Sequence, residues 1–139
     1  MAMPEPFSPA ATAALAAFNA ATGDLRMPSE RDHPFIPVIL GMITLSPQTV
    51  AQALDIPRNT PVSVQSFEHF FAPLTTRQPW HTTDDLPTLV GFAGLRDTLA
   101  ASLRDPVVYR FGEGTVTVLI IGYLDDGTIA GVQTKVIET

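Results

Sequence analysis

The most constraining feature of this sequence is its C-terminal third, where three apolar runs alternate with turn residues. The runs cover residues 107–111, 115–123 and 129–137 and are rich in β-branched side chains. Residues 112–114 (Gly-Glu-Gly) join the first two runs, and residues 125–127 (Asp-Asp-Gly) join the last two. Short glycine-containing links, and Asp-Gly above all, are typical of β-hairpins. The segment therefore predicts an antiparallel meander of three strands.

Helices are predicted in three places before the meander. Two of them begin with a Ser-Pro pair, at positions 8 and 46, in which Ser is a favoured N-cap and Pro fits the first helical position. The third has apolar residues at i, i+3 and i+4 spacing. These helices are expected at about 9–21, 47–55 and 86–103. An antiparallel sheet with helices packed against it is an α+β fold. At 139 residues the chain is expected to be a single domain, 1–139, with a flexible lead at 1–7.

Two segments between the helices have less regular patterns. The apolar run 35–43 predicts a strand buried on both faces, with Pro37 near its start. Ser66 is expected to cap a short helical turn that brings three phenylalanines into the core. These are Phe67, Phe70 and Phe71. The polar stretch 72–85 is too long for a simple connection in a compact domain, which predicts a functional loop.

Composition excludes several classes of function. The chain contains no cysteine, which rules out disulfides, thiolate metal sites and a cysteine nucleophile. Its formal net charge of −6 lacks the basic footprint of nucleic-acid binding, so direct contact with DNA or RNA is not expected, whereas a basic protein partner is. No apolar run is long enough to span a membrane, and the N-terminus has no basic region typical of a signal peptide. These features predict a cytoplasmic protein.

No motif marks a nucleophile or a phosphate-binding loop, and a non-enzymatic protein without a cofactor is expected. His81 with Asp84 and Asp85 offers ligands for a hydrated divalent cation, or an acidic loop that caps the next helix. Trp80 in the same loop is either an exposed interface anchor or a side chain folded back on the core. Glu138 and Thr139 form either an ordered acidic tip or a frayed end.

Several segments together resemble the nuclease A inhibitor (NuiA-like) family of small acidic bacterial proteins. They include the loops LRMPSERDHPF at 25–35 and FFAPLTTRQPWH at 70–81, and the C-terminal DGTIAGVQTKVIET at 126–139. VVYRFGE at 107–113 and VLIIG at 118–122 fit the same pattern. The resemblance covers about residues 10–139, and its most specific parts are RQPWH and GVQTKVIET.

This resemblance implies a protein inhibitor that plugs the active site of a sugar-nonspecific, Mg²⁺-dependent endonuclease. It implies a three-layer α-β-α sandwich similar to pathogenesis-related-1 proteins. The family's partner-contact positions match Glu30, Gln78, Trp80 and Thr139 here. Glu138, the acidic neighbour of Thr139 at the C-terminal tip, is expected to join them in binding the partner. Thr139 is expected to reach the metal of the partner nuclease, while the chain holds no metal of its own.

Three departures from the family pattern leave an alternative open. The run Met-Pro-Ser-Glu at 27–30 is one residue longer than is usual, His33 stands where Tyr is typical, and Pro79 rigidifies the loop that carries Trp80. The alternative is a non-catalytic module that binds another protein or ligand and shares only the fold. A weaker one is a hydrolase that uses His81, Asp84 and Asp85 around a metal.

Overall fold

The computed structural model describes residues 8–23, 25–27 and 33–137. Within these ranges the helices are α1 (Pro9–Thr22), α2 (Pro47–Ala53), α3 (Phe67–Thr75) and α4 (Leu86–Ser102), with a 3-10 turn at Thr83–Asp85. The strands are β1 (Arg26–Met27), β2 (His33–Pro34), β3 (Ile36–Gly41), β4 (Val62–Ser66), β5 (Arg104–Phe111), β6 (Thr115–Tyr123) and β7 (Ile129–Ile137). The fold is α+β, as the sequence predicts.

The main sheet has the order β3-β7-β6-β5-β4, and all its neighbours are antiparallel. β5, β6 and β7 form the predicted meander at its centre. The β6–β7 register runs without a break from Thr115 opposite Ile137 to Tyr123 opposite Ile129. β1 and β2 form a separate two-stranded antiparallel pair.

Helices cover both faces of the sheet. On one face α1, α3 and α4 pack against inward-pointing residues of the central strands, such as Val118, Ile120 and Val132. On the other face α2 contributes Val50 to a second cluster with Leu119, Ile121 and neighbouring residues. Since the side chains of successive strand residues point to opposite faces, the two clusters lie on opposite sides of the sheet. The result is the three-layer α-β-α arrangement that the resemblance implies.

The predicted helix starts are confirmed by their capping bonds. The Ala11 amide donates to Ser8 Oγ at 3.1 Å, and Ser46 forms a capping box with Thr49. The His69 amide donates to Ser66 Oγ at 3.1 Å, which starts α3 and buries its three phenylalanines. These hydroxyls accept bonds from amides that have no partner within the helix.

Two predictions about local structure are corrected, and three strands are additional to those predicted. β3 is an edge strand rather than a strand buried on both faces: it pairs only with β7, and Ile36 is 55% exposed. An edge position accommodates Pro37, which has no amide hydrogen to donate. The predicted loop 72–85 is shorter, because α3 continues through Pro73 to Thr75 and a 3-10 turn precedes α4. β4, β1 and β2 were not predicted as strands.

In the described part of the chain, no helix has the length and apolar character needed to cross a membrane.

Candidate functional site

The connection between α3 and α4 contains a tight turn held by two hydrogen bonds between its ends. The His81 amide donates to the Gln78 carbonyl oxygen at 3.0 Å. In the opposite direction, the Gln78 amide donates to Nδ1 of the His81 ring at 2.8 Å. Because both amides at the ends of this turn are satisfied inside it, residues 78–81 keep a defined shape without help from a neighbouring element.

Trp80 projects from this turn into solvent. Its side chain is 73% exposed, and its ring lies beside that of His81 with centroids 5.8 Å apart. A groove of about 540 Å³ borders the turn; Trp80 lines it together with side chains from the end of α3 and the first half of α4. The choice left open by the sequence is therefore settled: Trp80 is an exposed aromatic side chain beside a groove.

The course of α4 and of the sheet places this turn at one end of the molecule. α4 ends at Ser102, and β5 then starts at Arg104, opposite Tyr123 at the end of β6. β6 begins at Thr115, opposite Ile137, at the other end of the sheet. A helix of 17 residues is about 25 Å long, close to the length of these strands. The start of α4 therefore lies near the end of the sheet at which β7 finishes.

Side-chain contacts agree with this placement. Phe92, in the first half of α4, packs against Phe35 at 5.7 Å between ring centroids, and Phe35 directly precedes β3. Leu25 packs so closely on α4 that a Cβ on Gly91 would lie 2.7 Å from Leu25 Cδ2. The His33 carbonyl accepts a hydrogen bond from Thr134 Oγ1 of β7 at 3.4 Å. The start of α4, the β1–β2 pair and the last part of β7 thus pack together.

We refer to this region as the β7 end: the 78–81 turn, the β1–β2 pair and β7 from Thr134 to Ile137. Of the five partner-contact residues expected from the sequence, Gln78 and Trp80 lie within it and share one turn. Glu30, Glu138 and Thr139 lie outside the described residues. Residues 28–32 follow β1 and precede β2, and residues 138–139 follow β7, so all three are attached to elements of the β7 end.

Two of the three side chains considered as metal ligands, His81 and Asp85, have other partners. His81 Nδ1 accepts the Gln78 amide, and Asp85 Oδ2 accepts the Thr82 amide at 2.7 Å. Asp85 thus closes a capping box with Thr82, which is the capping alternative that the sequence offered. Among residues 8–23, 25–27 and 33–137, no group of three or more His, Asp or Glu side chains is arranged to hold a metal ion.

Two ionisable groups with shifted pKa values lie away from the turn. Hydrogen bonds from the Ser8 side chain and from Thr128 lower the pKa of Asp126, in the β6–β7 turn at the opposite end of β7. Burial, with a smaller contribution from Tyr123, raises the pKa of Tyr109. Neither group lines the groove beside Trp80. Ionisable groups with shifted pKa values often cluster at sites of proton transfer. Asp126 and Tyr109 do not form such a cluster, because each pKa shift has its own local cause.

The structural role of His81 was not predicted from the sequence. The sequence offers a metal ligand at this position, whereas the His81 ring accepts the hydrogen bond from the Gln78 amide that closes the Trp80 turn. Its position three residues after Gln78 was a usable signal, because a side-chain acceptor at that spacing reaches back to a free amide much as capping residues do. β1 and β2 gave no such signal, since each has only two residues.

Comparison with known proteins shows which family the chain belongs to. The family model described as nuclease A inhibitor-like protein matches residues 12–139, nearly the whole chain. A comparison with curated proteins found no match. The matched residues include the whole of the β7 end: the 78–81 turn, β1, β2 and β7. The chain therefore belongs to the nuclease A inhibitor-like protein family.

Proposed function

We propose that this protein is a non-enzymatic inhibitor that binds a sugar-nonspecific, Mg²⁺-dependent endonuclease and blocks its active site. Membership of the family supports a nuclease-inhibitor-like role in general. The observation that carries the more specific proposal is the convergence at the β7 end. The exposed Trp80 turn, the strands flanking Glu30 and the strand leading to Thr139 all meet there. One surface can then present all five expected contact residues to one partner.

Trp80 supplies the apolar anchor of this surface. Binding free energy at protein interfaces concentrates in a few residues, and tryptophan is prominent among them because it buries a large area with few rotatable bonds. The bonds between Gln78 and His81 fix the turn before the partner arrives, so little conformational entropy is lost on binding. Gln78, half-buried at the foot of this turn, offers its carboxamide to polar groups of the partner.

The C-terminus supplies the groups for the partner's metal. Thr139 follows Ile137 by only two positions, and Ile137 ends a nine-residue strand that pairs with β6 along its whole length. Its hydroxyl and terminal carboxylate are hard oxygen ligands of the kind Mg²⁺ prefers. In the proposal they stand where phosphate oxygens of the nucleic acid stand during cleavage. Glu138 adds a negative charge next to them.

Glu30 completes the acidic surface. It lies three residues beyond Met27 at the end of β1 and three before His33 at the start of β2. Three extended residues span at most about 11 Å, which keeps Glu30 near the β7 end. A nuclease that binds the phosphate backbone has a basic cleft, and carboxylates around the C-terminus imitate that backbone. The proposed place of action is the cytoplasm, where such an inhibitor protects its own cell.

A DNA-cleavage titration tests the proposal. The purified nonspecific nuclease of the source organism is titrated with the intact protein, a variant lacking Thr139, and Trp80→Ala. Met42→Ala is the matched control, because Met42 is 71% exposed and lies at the opposite end of β7, where a Cβ added to Gly127 would be 3.4 Å from the Met42 sulfur. We expect stoichiometric inhibition by the intact protein and by the control. We expect inhibition to be lost without Thr139 and weakened by Trp80→Ala.

Equal inhibition with and without Thr139 contradicts the plug mechanism. Absence of inhibition against several such nucleases favours the alternative of a binding module that shares only the fold.

A further inference from the structure

The two edges of the main sheet are protected to different degrees. Edge strands present unpaired amide and carbonyl groups, and proteins shield them with proline, charged side chains or bulges. β3 carries Pro37 and a register irregularity between Ile39 and Gly41. β4, the opposite edge, has the sequence VSVQS, with neither a proline nor a charged residue and with a regular register along its whole length.

The register identifies which backbone groups of β4 are free to pair. The Gly112 amide donates to the Pro61 carbonyl at 2.8 Å, so residues 61 and 112 form a hydrogen-bonded pair of the β4–β5 ladder. Such pairs alternate with non-bonded pairs along antiparallel strands. Ser63 and Gln65 therefore bond to β5. The amide and carbonyl groups of Val62 and Val64 point away from β5, toward the outer side of the sheet.

The side chains along this edge are apolar and exposed on one face. Val62 and Val64 lie opposite Phe111 and Tyr109 of β5, and they are 44% and 60% exposed. On the other face Gln65 has a buried carboxamide oxygen without a hydrogen-bond partner among the described residues. β4 thus offers unpaired backbone groups and exposed valines at one place.

From these observations we propose that a second copy of this chain pairs with the β4 edge, antiparallel and related by a two-fold axis through Val64. The strand is complementary to itself in this register: Val64 faces Val64 of the second copy, Val62 faces Ser66, and Ser63 faces Gln65. The outward groups of the two Val64 residues meet as a hydrogen-bonded pair. The two valine side chains form a β-branched cross-strand pair of the kind that stabilises sheets.

Charge is compatible with a second copy at this edge, and size sets the strength of the dimer. Since β4 contains no charged residue, the two-fold register places no like charges directly opposite each other. A five-residue strand buries less area than the 1,200–2,000 Å² typical of stable interfaces, so the dimer is a weak one that forms at high protein concentration. In the resulting ten-stranded sheet, the β7 end of each copy lies away from the β4 edge at which the two copies pair.

Sedimentation equilibrium from micromolar to millimolar protein tests the inference. The average mass is expected to rise from 14.9 kDa toward twice that value. Val64→Lys is expected to keep the protein monomeric, because two ammonium groups meet on the two-fold axis, and so is Val64→Glu. An equimolar mixture of these two variants is expected to dimerise. Val90→Lys, at a valine that is 71% exposed on α4, is the matched control and retains dimerisation.

Amide hydrogen exchange gives a second measurement that does not depend on the variants. Exchange at Val64 is expected to slow as protein concentration rises, whereas exchange at Gln65, already bonded to β5, stays unchanged. A wild-type protein that remains monomeric at millimolar concentration overturns the inference. So does a mixture of the Lys and Glu variants that stays monomeric, or a Val90→Lys control that dissociates as Val64→Lys does.

Discussion

At the scale of single residues, the presentation of Trp80 depends on one ring nitrogen of His81. His81→Phe removes the acceptor of the Gln78 amide while keeping an aromatic ring beside Trp80. A neutral hydrogen bond contributes about 1 kcal/mol, so inhibition of the cognate nuclease is expected to weaken about five- to tenfold. His81→Asn, whose side-chain oxygen can accept the same amide, is expected to recover part of this loss.

The control for this prediction is His69→Phe, because His69 is an exposed histidine on α3 whose backbone amide, and not its ring, is used for capping. Its inhibition constant is expected to equal that of the wild type. An equal loss of inhibition in His69→Phe and His81→Phe contradicts the role given to the His81 ring.

Two glycines give opposite predictions for the same substitution. A Cβ on Gly131, in the central strand β7, would overlap the carbonyl oxygen of Ile120, so Gly131→Ala forces neighbouring strands apart. A loss of about 3 kcal/mol or more in the free energy of unfolding is expected. Gly94 in α4 has no atom within 4 Å of an added Cβ, and Gly94→Ala is expected to stabilise by about 0.5–1 kcal/mol. Urea denaturation of both variants measures the two signs.

At the scale of elements, the start of α1 is coupled to the β6–β7 turn through Ser8. Its hydroxyl accepts the Ala11 amide and donates to Asp126, which lowers the pKa of that carboxyl. A carboxyl whose pKa is lower in the folded state stabilises the fold above its unfolded pKa, near 4, and this stabilisation disappears as the pH falls through the folded value. Stability is therefore expected to decrease on acidification below pH about 4, and less so in Ser8→Ala.

Ser8→Ala is also expected to cost about 1 kcal/mol at neutral pH through loss of the N-cap. Chemical denaturation at neutral and acidic pH separates the two effects. Asp126→Asn is expected to flatten the acid dependence in the same way. An acid dependence that is identical in wild type and Ser8→Ala contradicts the coupling.

The elements that the sequence predicts well are those specified by local chemistry. β6 and β7 have the predicted bounds because hairpin turns fix both ends of β6 and the start of β7, and the Ser-Pro pairs fix the starts of α1 and α2. β5 begins earlier than predicted because Arg104 pairs with Tyr123 of β6. Between this pair and Val107 the ladder is irregular, and Asp105 adopts a positive φ of 53°. No propensity scale favours an aspartate in that conformation within a strand.

Elements held by distant contacts could not be predicted. β1 and β2 form a two-residue ladder against β7 and α4, and the Thr134–His33 bond joins residues 101 positions apart. For the site, Gln78 and Trp80 were selected by the resemblance to the family, and their contact with a partner stays a prediction. The exposure of Trp80 depends on the bonds that close its turn, which a residue pattern does not contain.

At the scale of the whole molecule, the net charge of −6 bears on how quickly the proposed partner is captured. A basic nuclease cleft attracts an acidic protein over distances beyond direct contact, and salt screens this attraction with a Debye length of about 10 Å at 0.1 M. The association rate constant is therefore expected to fall about tenfold or more between low and high salt. The dissociation rate constant, set by the short-range contacts of Trp80 and the C-terminus, is expected to change little.

Two variants with the same change in net charge locate this effect. Asp84 lies in the 3-10 turn that follows the Trp80 turn, whereas Asp125 lies in the β6–β7 turn, about 27 Å away along β7. Asp84→Asn is expected to slow association more than Asp125→Asn, and the difference is expected to vanish at high salt. Stopped-flow measurements with the cognate nuclease at several salt concentrations provide both constants. Equal slowing by the two variants would mean that the nuclease responds to overall charge alone, and would contradict an approach guided to the β7 end.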